Sequence, residues 1–100
     1  ERGDLAGLAG DQSPRVRLTA LVNAGERREL SLLPQVLQAL DDPQLNVRTK
    51  ACWALGRMQD RSAIGALYAR LQCDPSWYAR DYAYAALNKI QPFSRIVRLE

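Results

Sequence analysis

The segment Asp42-Pro43-Gln44-Leu45-Asn46-Val47-Arg48-Thr49-Lys50-Ala51-Cys52-Trp53-Ala54-Leu55-Gly56 decides the fold, because its pattern occurs three times in the chain. Residues 47–56 align without gaps with residues 16–25 and 79–88. Arginine recurs at 17, 48 and 80, and alanine recurs at 20, 51 and 83, so both offsets are 31 and then 32 residues. Self-similarity at a fixed period of this length indicates a repeat architecture.

The segments between these three stretches repeat as well. The apolar residues at 33, 36, 37 and 40 correspond to those at 64, 67, 68 and 71, again with an offset of 31. Their i, i+3, i+4, i+7 spacing is typical of one face of a helix, and no alternating strand pattern occurs. A further offset of 32 predicts apolar residues at 96 and 99, where the sequence has Ile96 and Leu99. Each unit is therefore predicted to be a pair of helices.

Short acidic turns separate the two helices of each predicted pair. Asp42 and Asp74 each precede a proline, so we expect them to cap the following helix, with the proline at its first position. Ser13 before Pro14 is expected to play that part in the first unit. At the other end, Gly25 and Gly56 are expected to be the left-handed residues that end their helices, with Asn88 at the aligned third position.

Composition restricts the chemistry of this 100-residue chain. It contains no histidine, which removes His-based acid–base catalysis and His-ligated metal sites, so we expect no enzyme activity and no cofactor. The net charge of +3 is mildly basic, so it permits a nucleic-acid partner without arguing for one. No apolar run approaches a membrane span and no signal segment opens the chain, so we expect a cytoplasmic protein with reduced thiols at Cys52 and Cys73.

The repeated motif resembles the HEAT-like repeat, in particular the short bacterial and archaeal subtype first associated with phycobilin lyases. That subtype reads roughly Asp-x-x-x-x-Val-Arg-x-x-Ala-x-x-x-Leu-Gly, and residues 42–56 match it almost fully. The first unit departs at Ala24, and the third departs at Ala79 and Asn88. The resemblance implies an all-α, armadillo-like superhelix of about three stacked pairs, with units at about 1–25, 26–57 and 58–90 and the start of a further helix at 91–100.

The chain begins at Glu1-Arg2 without a methionine and stops shortly into what looks like another helix, so we expect a fragment of a longer protein. Leu99-Glu100 resembles the scar of a purification tag, although Leu99 also fits the repeat register.

The resemblance also implies a ladder of aspartates and arginines along the stack. It pairs each acidic turn with the arginine of its own unit: Asp11 with Arg17, Asp42 with Arg48, and Asp74 with Arg80. An arginine beside an apolar stripe needs such a partner, which supports a structural role over ligand binding.

The second helix of each pair is implied to line a concave surface, and its positions away from the core are the candidate binding residues. These are Arg15, Thr49, Lys50, Trp53, Arg57, Tyr78, Tyr82 and Lys89. Trp53 aligns with Val22 and Ala85, so it is either an interface anchor or a half-buried cover for a neighbouring repeat. Tyr84 aligns with Leu21 and Cys52 and is expected in the core.

An aromatic and basic surface of this kind suits protein partners, so we predict a non-catalytic interaction scaffold. Two alternatives remain open. By family analogy the chain could be part of a phycobilin-lyase-like enzyme. The cations at 15, 50, 57 and 89 could instead form a basic groove for nucleic acid, although Asp81 beside Tyr82 interrupts it. The partner's identity is not encoded in these patterns.

Overall fold

A computed structural model describes residues 5–91 of the chain, and that part is all-α with no strand, as the sequence predicts. Its helices are α1 (Leu5–Ala9), α2 (Pro14–Arg27), α3 (Leu33–Gln38), α4 (Leu45–Met58), α5 (Ile64–Cys73) and α6 (Trp77–Ile90). Short 3-10 turns at Leu30–Leu32, Ala39–Asp41 and Arg61–Ala63 flank α3 and precede α5. The further helix expected at 91–100, with Ile96 and Leu99, lies outside the described residues, as do the two chain ends.

The helices form two layers. Helices α2, α4 and α6 pack side by side, and α1, α3 and α5 each pack against the helix that follows them. The core lies between the layers, and Leu21, Leu55 and Leu67 are its largest fully buried apolar side chains. Small residues in the second helices, including Ala51 and Ala83, are fully buried and let neighbouring helices approach closely. This is the stacked-pair arrangement that the repeat register predicts.

The expected proline caps are wrong in the second and third units. Helix α4 begins at Leu45 and α6 at Trp77, two residues after the prolines of the acidic turns. The aspartates instead form Asx turns, in which Oδ1 of Asp42 accepts from the Gln44 N–H at 2.9 Å and Oδ1 of Asp74 accepts from the Ser76 N–H at 2.9 Å. Pro14 does occupy the first position of α2.

Tyr84 is not in the core. Its ring is 43% exposed, whereas the aligned Leu21 and Cys52 are 1% and 0% exposed. The difference arises because the following second helix covers Leu21 and Cys52, and no described helix follows α6. Tyr84 therefore lines an apolar groove of about 240 Å³ between α5 and α6, the last two described helices.

The glycines do not end the helices as expected. Helices α2 and α4 continue past Gly25 and Gly56, and the left-handed residues are Arg28 (φ 51°) and Gln59 (φ 55°). Both glycines lie instead where second helices cross. A Cβ on Gly25 would lie 2.5 Å from Cζ3 of Trp53, and a Cβ on Gly56 would lie 3.1 Å from Cα of Ala86.

We predict that Gly25→Ala destabilises the fold by about 1–3 kcal/mol, because the added methyl group must displace Trp53 or α4. Gly65→Ala is the matched control. A Cβ at Gly65 meets nothing within 4 Å, so this change should stabilise the fold by up to about 1 kcal/mol through helix propensity. Urea unfolding followed by circular dichroism measures both, and equal stability of the two variants would contradict the close approach.

Candidate functional site

One local structure of aspartate and arginine repeats at the start of all three second helices. Nη1 of each arginine donates to the backbone carbonyl of the aspartate six residues earlier. The three bonds run from Arg17 to Asp11, from Arg48 to Asp42 and from Arg80 to Asp74. Oδ1 of each aspartate also accepts a hydrogen bond from the backbone N–H of the residue two positions later, which closes the turn. The guanidinium group therefore fixes the acidic turn against the helix that carries it.

The side-chain pairing implied by the resemblance is wrong by one unit. Nε of Arg17 donates to Oδ2 of Asp42 at 2.7 Å, and Nη2 of Arg17 donates to Oδ1 of the same carboxylate at 2.9 Å. Nε of Arg48 donates to Oδ2 of Asp74 at 2.8 Å in the same way. The carboxylates of Asp42 and Asp74 thus face the preceding unit, while Nη1 of the arginine in their own unit binds the turn's backbone. The ladder joins neighbouring units.

Asp74 is the most buried acidic residue among those described. Its side chain has no exposed surface, yet it accepts from Arg48 and from the Ser76 N–H, and Nε of Arg70 lies 3.0 Å from Oδ2. Burial alone would raise the pKa of Asp74. The hydrogen bonds from Arg48 and Ser76 and the two positive charges outweigh it and hold the pKa below its usual value.

Sequence reasoning missed Arg70, which joins the ladder from α5. Its guanidinium group also donates to the Leu40 carbonyl and, at 2.8 Å, to Oδ1 of Asp41. It therefore links the first helix of the third unit to the acidic turn of the second. The available signal was the spacing of Arg70 four residues before Asp74, which places the two charges on one side of α5.

The candidate binding residues occupy the solvent-facing stripes of the second helices. We call this surface the second-helix face. It comprises Arg15, Thr19, Val22 and Glu26 of α2, Asn46, Lys50, Trp53 and Arg57 of α4, and Tyr78, Tyr82, Ala85 and Lys89 of α6. On α4 this is the least buried stripe, with the spacing of four, three and four residues that keeps side chains on one helix side.

Thr49 does not belong to this surface, contrary to expectation. Its side chain is buried, and its hydroxyl group donates to the Asn46 carbonyl at 3.0 Å. On α4 it lies on the buried stripe of Cys52 and Gly56, and Gly56 packs against Ala86 of α6. Asp81 is the residue of α6 that aligns with Thr49. It therefore lies on the side of α6 away from α4 and does not belong to the second-helix face.

Trp53 lies at the centre of the second-helix face and is half-buried. One edge of its indole packs on Gly25 of the preceding second helix. Nζ of Lys50 lies 4.9 Å from the ring centroid, and Cζ of Arg57 lies 5.7 Å from it. Both distances are typical of cation–π contacts, so the indole covers a neighbouring repeat and also holds two cations at the surface.

Tyr78 and Tyr82 form an aromatic pair one helix further along. Their ring centroids are 5.2 Å apart at an interplanar angle of 71°, and Trp77 packs edge-on against Tyr78 at 5.8 Å. Interaction with the Tyr78 side chain raises the pKa of Tyr82 above its ordinary value. All three rings are exposed, so they present a neutral aromatic surface beside the cations of α4.

The two cysteines differ in environment. Cys52 is fully buried in the core, where desolvation, assisted by the negative charge of Asp74, raises the pKa of its thiol to about 12. Cys73 is exposed at the end of α5. Within residues 5–91, no three His, Cys, Asp or Glu side chains converge as metal ligands. None of the described helices is long and apolar enough to cross a membrane.

We predict that Asp74→Ala destabilises the fold by about 3–5 kcal/mol, since Arg48 loses its carboxylate partner in a buried site. Asp41→Ala is the control, because Asp41 also pairs with Arg70 but its side chain is 87% exposed. The control should change the unfolding free energy by less than about 1 kcal/mol. Equal losses in thermal or urea unfolding would contradict a structural ladder.

The same carboxylate gives a pH dependence. A lowered pKa means that Asp74 stabilises the fold above its unfolded pKa of about 3.9 and loses this contribution as pH falls through the folded value. Asp74→Asn should therefore show a flatter loss of stability below about pH 4 than the unsubstituted chain.

Thiol labelling should separate the two cysteines. We expect dithionitrobenzoate to titrate Cys73 rapidly in the folded chain and Cys52 only after urea unfolding, because thiolate formation at Cys52 is suppressed and its sulfur is inaccessible. Cys73→Ser should abolish the rapid phase. Rapid labelling of two thiols under native conditions would show that the layers open readily.

The ladder, the close-packed glycines and the stacked helix pairs all recur at the period of the sequence repeat. A comparison with protein-family models agrees with this geometry: a model described as HEAT repeats matches residues 5–88. The match covers most of the chain, including α2, α4 and all but the last two residues of α6. The chain therefore belongs to the HEAT-repeat family.

Proposed function

We propose that this chain is a non-catalytic module that binds another protein through the second-helix face. HEAT repeats commonly mediate interactions between proteins, and this chain has no histidine to support the usual acid–base chemistry. The observation that carries the proposal is the arrangement at Trp53, where an indole held by packing on Gly25 presents two cations to solvent. Tryptophan, tyrosine and arginine are the residues that dominate binding energy at protein interfaces.

The ladder supports this proposal by making the surface rigid. Arg17 and Arg48 bind consecutive units together through nearly buried carboxylates, so the side chains of α2, α4 and α6 keep fixed spacings. A surface that is ordered before binding loses less conformational entropy when a partner arrives. We therefore assign the ladder arginines a structural role. The side chains proposed to bind are those of the second-helix face, which take no part in the ladder.

A pull-down with the immobilised chain tests the proposal. We expect protein retained by the unsubstituted chain to be lost, by at least about tenfold, with Trp53→Ala and with Tyr82→Ala. Tyr68→Ala is the matched aromatic control, because Tyr68 is 53% exposed on α5 in the other layer. Equal capture by all four chains would refute binding through the second-helix face. Circular dichroism confirms folding, and the exposed Tyr82 keeps the test valid if Trp53→Ala unfolds.

A further inference from the structure

The chain pairs some arginines with carboxylates and leaves others unpaired. Arg17, Arg48 and Arg70 each lie within 3.0 Å of a carboxylate oxygen. Lys50 and Arg57, which flank Trp53, make no ion pair with any carboxylate of residues 5–91, and Nε of Arg57 donates only to the Gly25 carbonyl at 3.4 Å. The positive charge beside the indole is therefore unneutralised within the described chain.

Neighbouring stripes of the second-helix face add to this positive charge. Lys89 of α6 is at the register position of Arg57, and its aliphatic stem lies across Gly56. Arg15 is exposed on α2. The face carries one carboxylate, Glu26, which also shares the register position of Arg57 and forms no ion pair with it. Four cations against one carboxylate make the surface complementary to a negatively charged partner.

The spacing of the two cations on Trp53 restricts the shape of that partner. Lys50 and Arg57 are seven residues apart on α4, so their Cα atoms are separated by about 10.5 Å along the helix. Their charged groups lie 4.9 Å and 5.7 Å from the centroid of the same ring, so the two charges are no further apart than about 11 Å. In a polyproline II segment, residues three apart lie on one side at a distance of about 9.3 Å. Two carboxylates at i and i+3 of such a segment would therefore meet both cations at once.

We infer that the second-helix face binds an extended acidic peptide segment, with carboxylates three residues apart held by Lys50 and Arg57. This inference rests on the proposed function and specifies its partner. Trp53 is a positioning residue, because its ring holds both cations at fixed places and so reduces the ordering that binding requires. The paired ladder arginines take no part.

Fluorescence anisotropy tests this inference with a labelled ten-residue peptide containing Glu-Pro-Pro-Glu between glycines and serines. At low ionic strength the peptide should bind the unsubstituted 100-residue chain, and a Gln-Pro-Pro-Gln peptide should bind at least about tenfold more weakly. Lys50→Ala and Arg57→Ala should each weaken binding about two- to fivefold. Arg27→Ala removes an exposed cation outside the face and should have no effect. Added salt should weaken binding.

Several results would overturn the inference. The acidic peptide could fail to bind at all, or the glutamine peptide could bind as tightly as the acidic one. Arg27→Ala could also weaken binding as much as Lys50→Ala does, which would indicate attraction by net charge alone. Tighter binding of an oligothymidylate than of the acidic peptide would assign the face to nucleic acid instead. If the acidic peptide does not bind but capture in the pull-down still depends on Trp53 and Tyr82, the inference of an acidic partner is wrong. The proposed protein-binding function then stands.

Discussion

The bidentate contact between an arginine of one unit and the aspartate of the next is the constraint on which the stack depends. Arg17 reaches Asp42 and Arg48 reaches Asp74, while each guanidinium group also holds the backbone of its own acidic turn. The starts of α2 and α4 are thereby fixed relative to the next unit. Apolar burial supplies most of the stabilisation in such a protein, but it is non-directional. The charged contacts specify how neighbouring units are aligned. A shift of one helical turn between units would leave buried carboxylates without partners.

The ladder also separates two classes of positive charge. The arginines at the unit junctions are paired with carboxylates and carbonyl groups, whereas Lys50 and Arg57 lie beside Trp53 on the partly exposed second-helix face. A small chain with a net charge of +3 can therefore present a strongly basic patch without leaving unpaired charge in its interior. Structure and recognition use the same residue type on different sides of one helix.

The repeat register predicted the helix pairs, their stacking and, apart from Thr49, the solvent-facing stripe of α4, because these follow from apolar spacing and period alone. It failed where tertiary neighbours decide the outcome. Gly25 and Gly56 looked like helix ends, but the space between second helices requires them. Thr49 looked exposed, but it lies on the buried stripe of α4 with Cys52 and Gly56. Tyr84 looked buried by alignment with Cys52, but alignment carries no information about whether another helix follows. The partner of each aspartate could not be read locally either, since 25 residues separate Arg17 from Asp42.

The packing of the Trp53 ring on Gly25 has a mechanical consequence. The indole that organises Lys50 and Arg57 is also the contact at which the second unit rests on the first. Any force that tilts the two units apart must lift that ring from the glycine, and any ligand that draws the two cations away from the ring loosens its seat. Occupancy by a ligand of that kind and flexing between the first two units would then be thermodynamically linked, and each would bias the other by the same free energy.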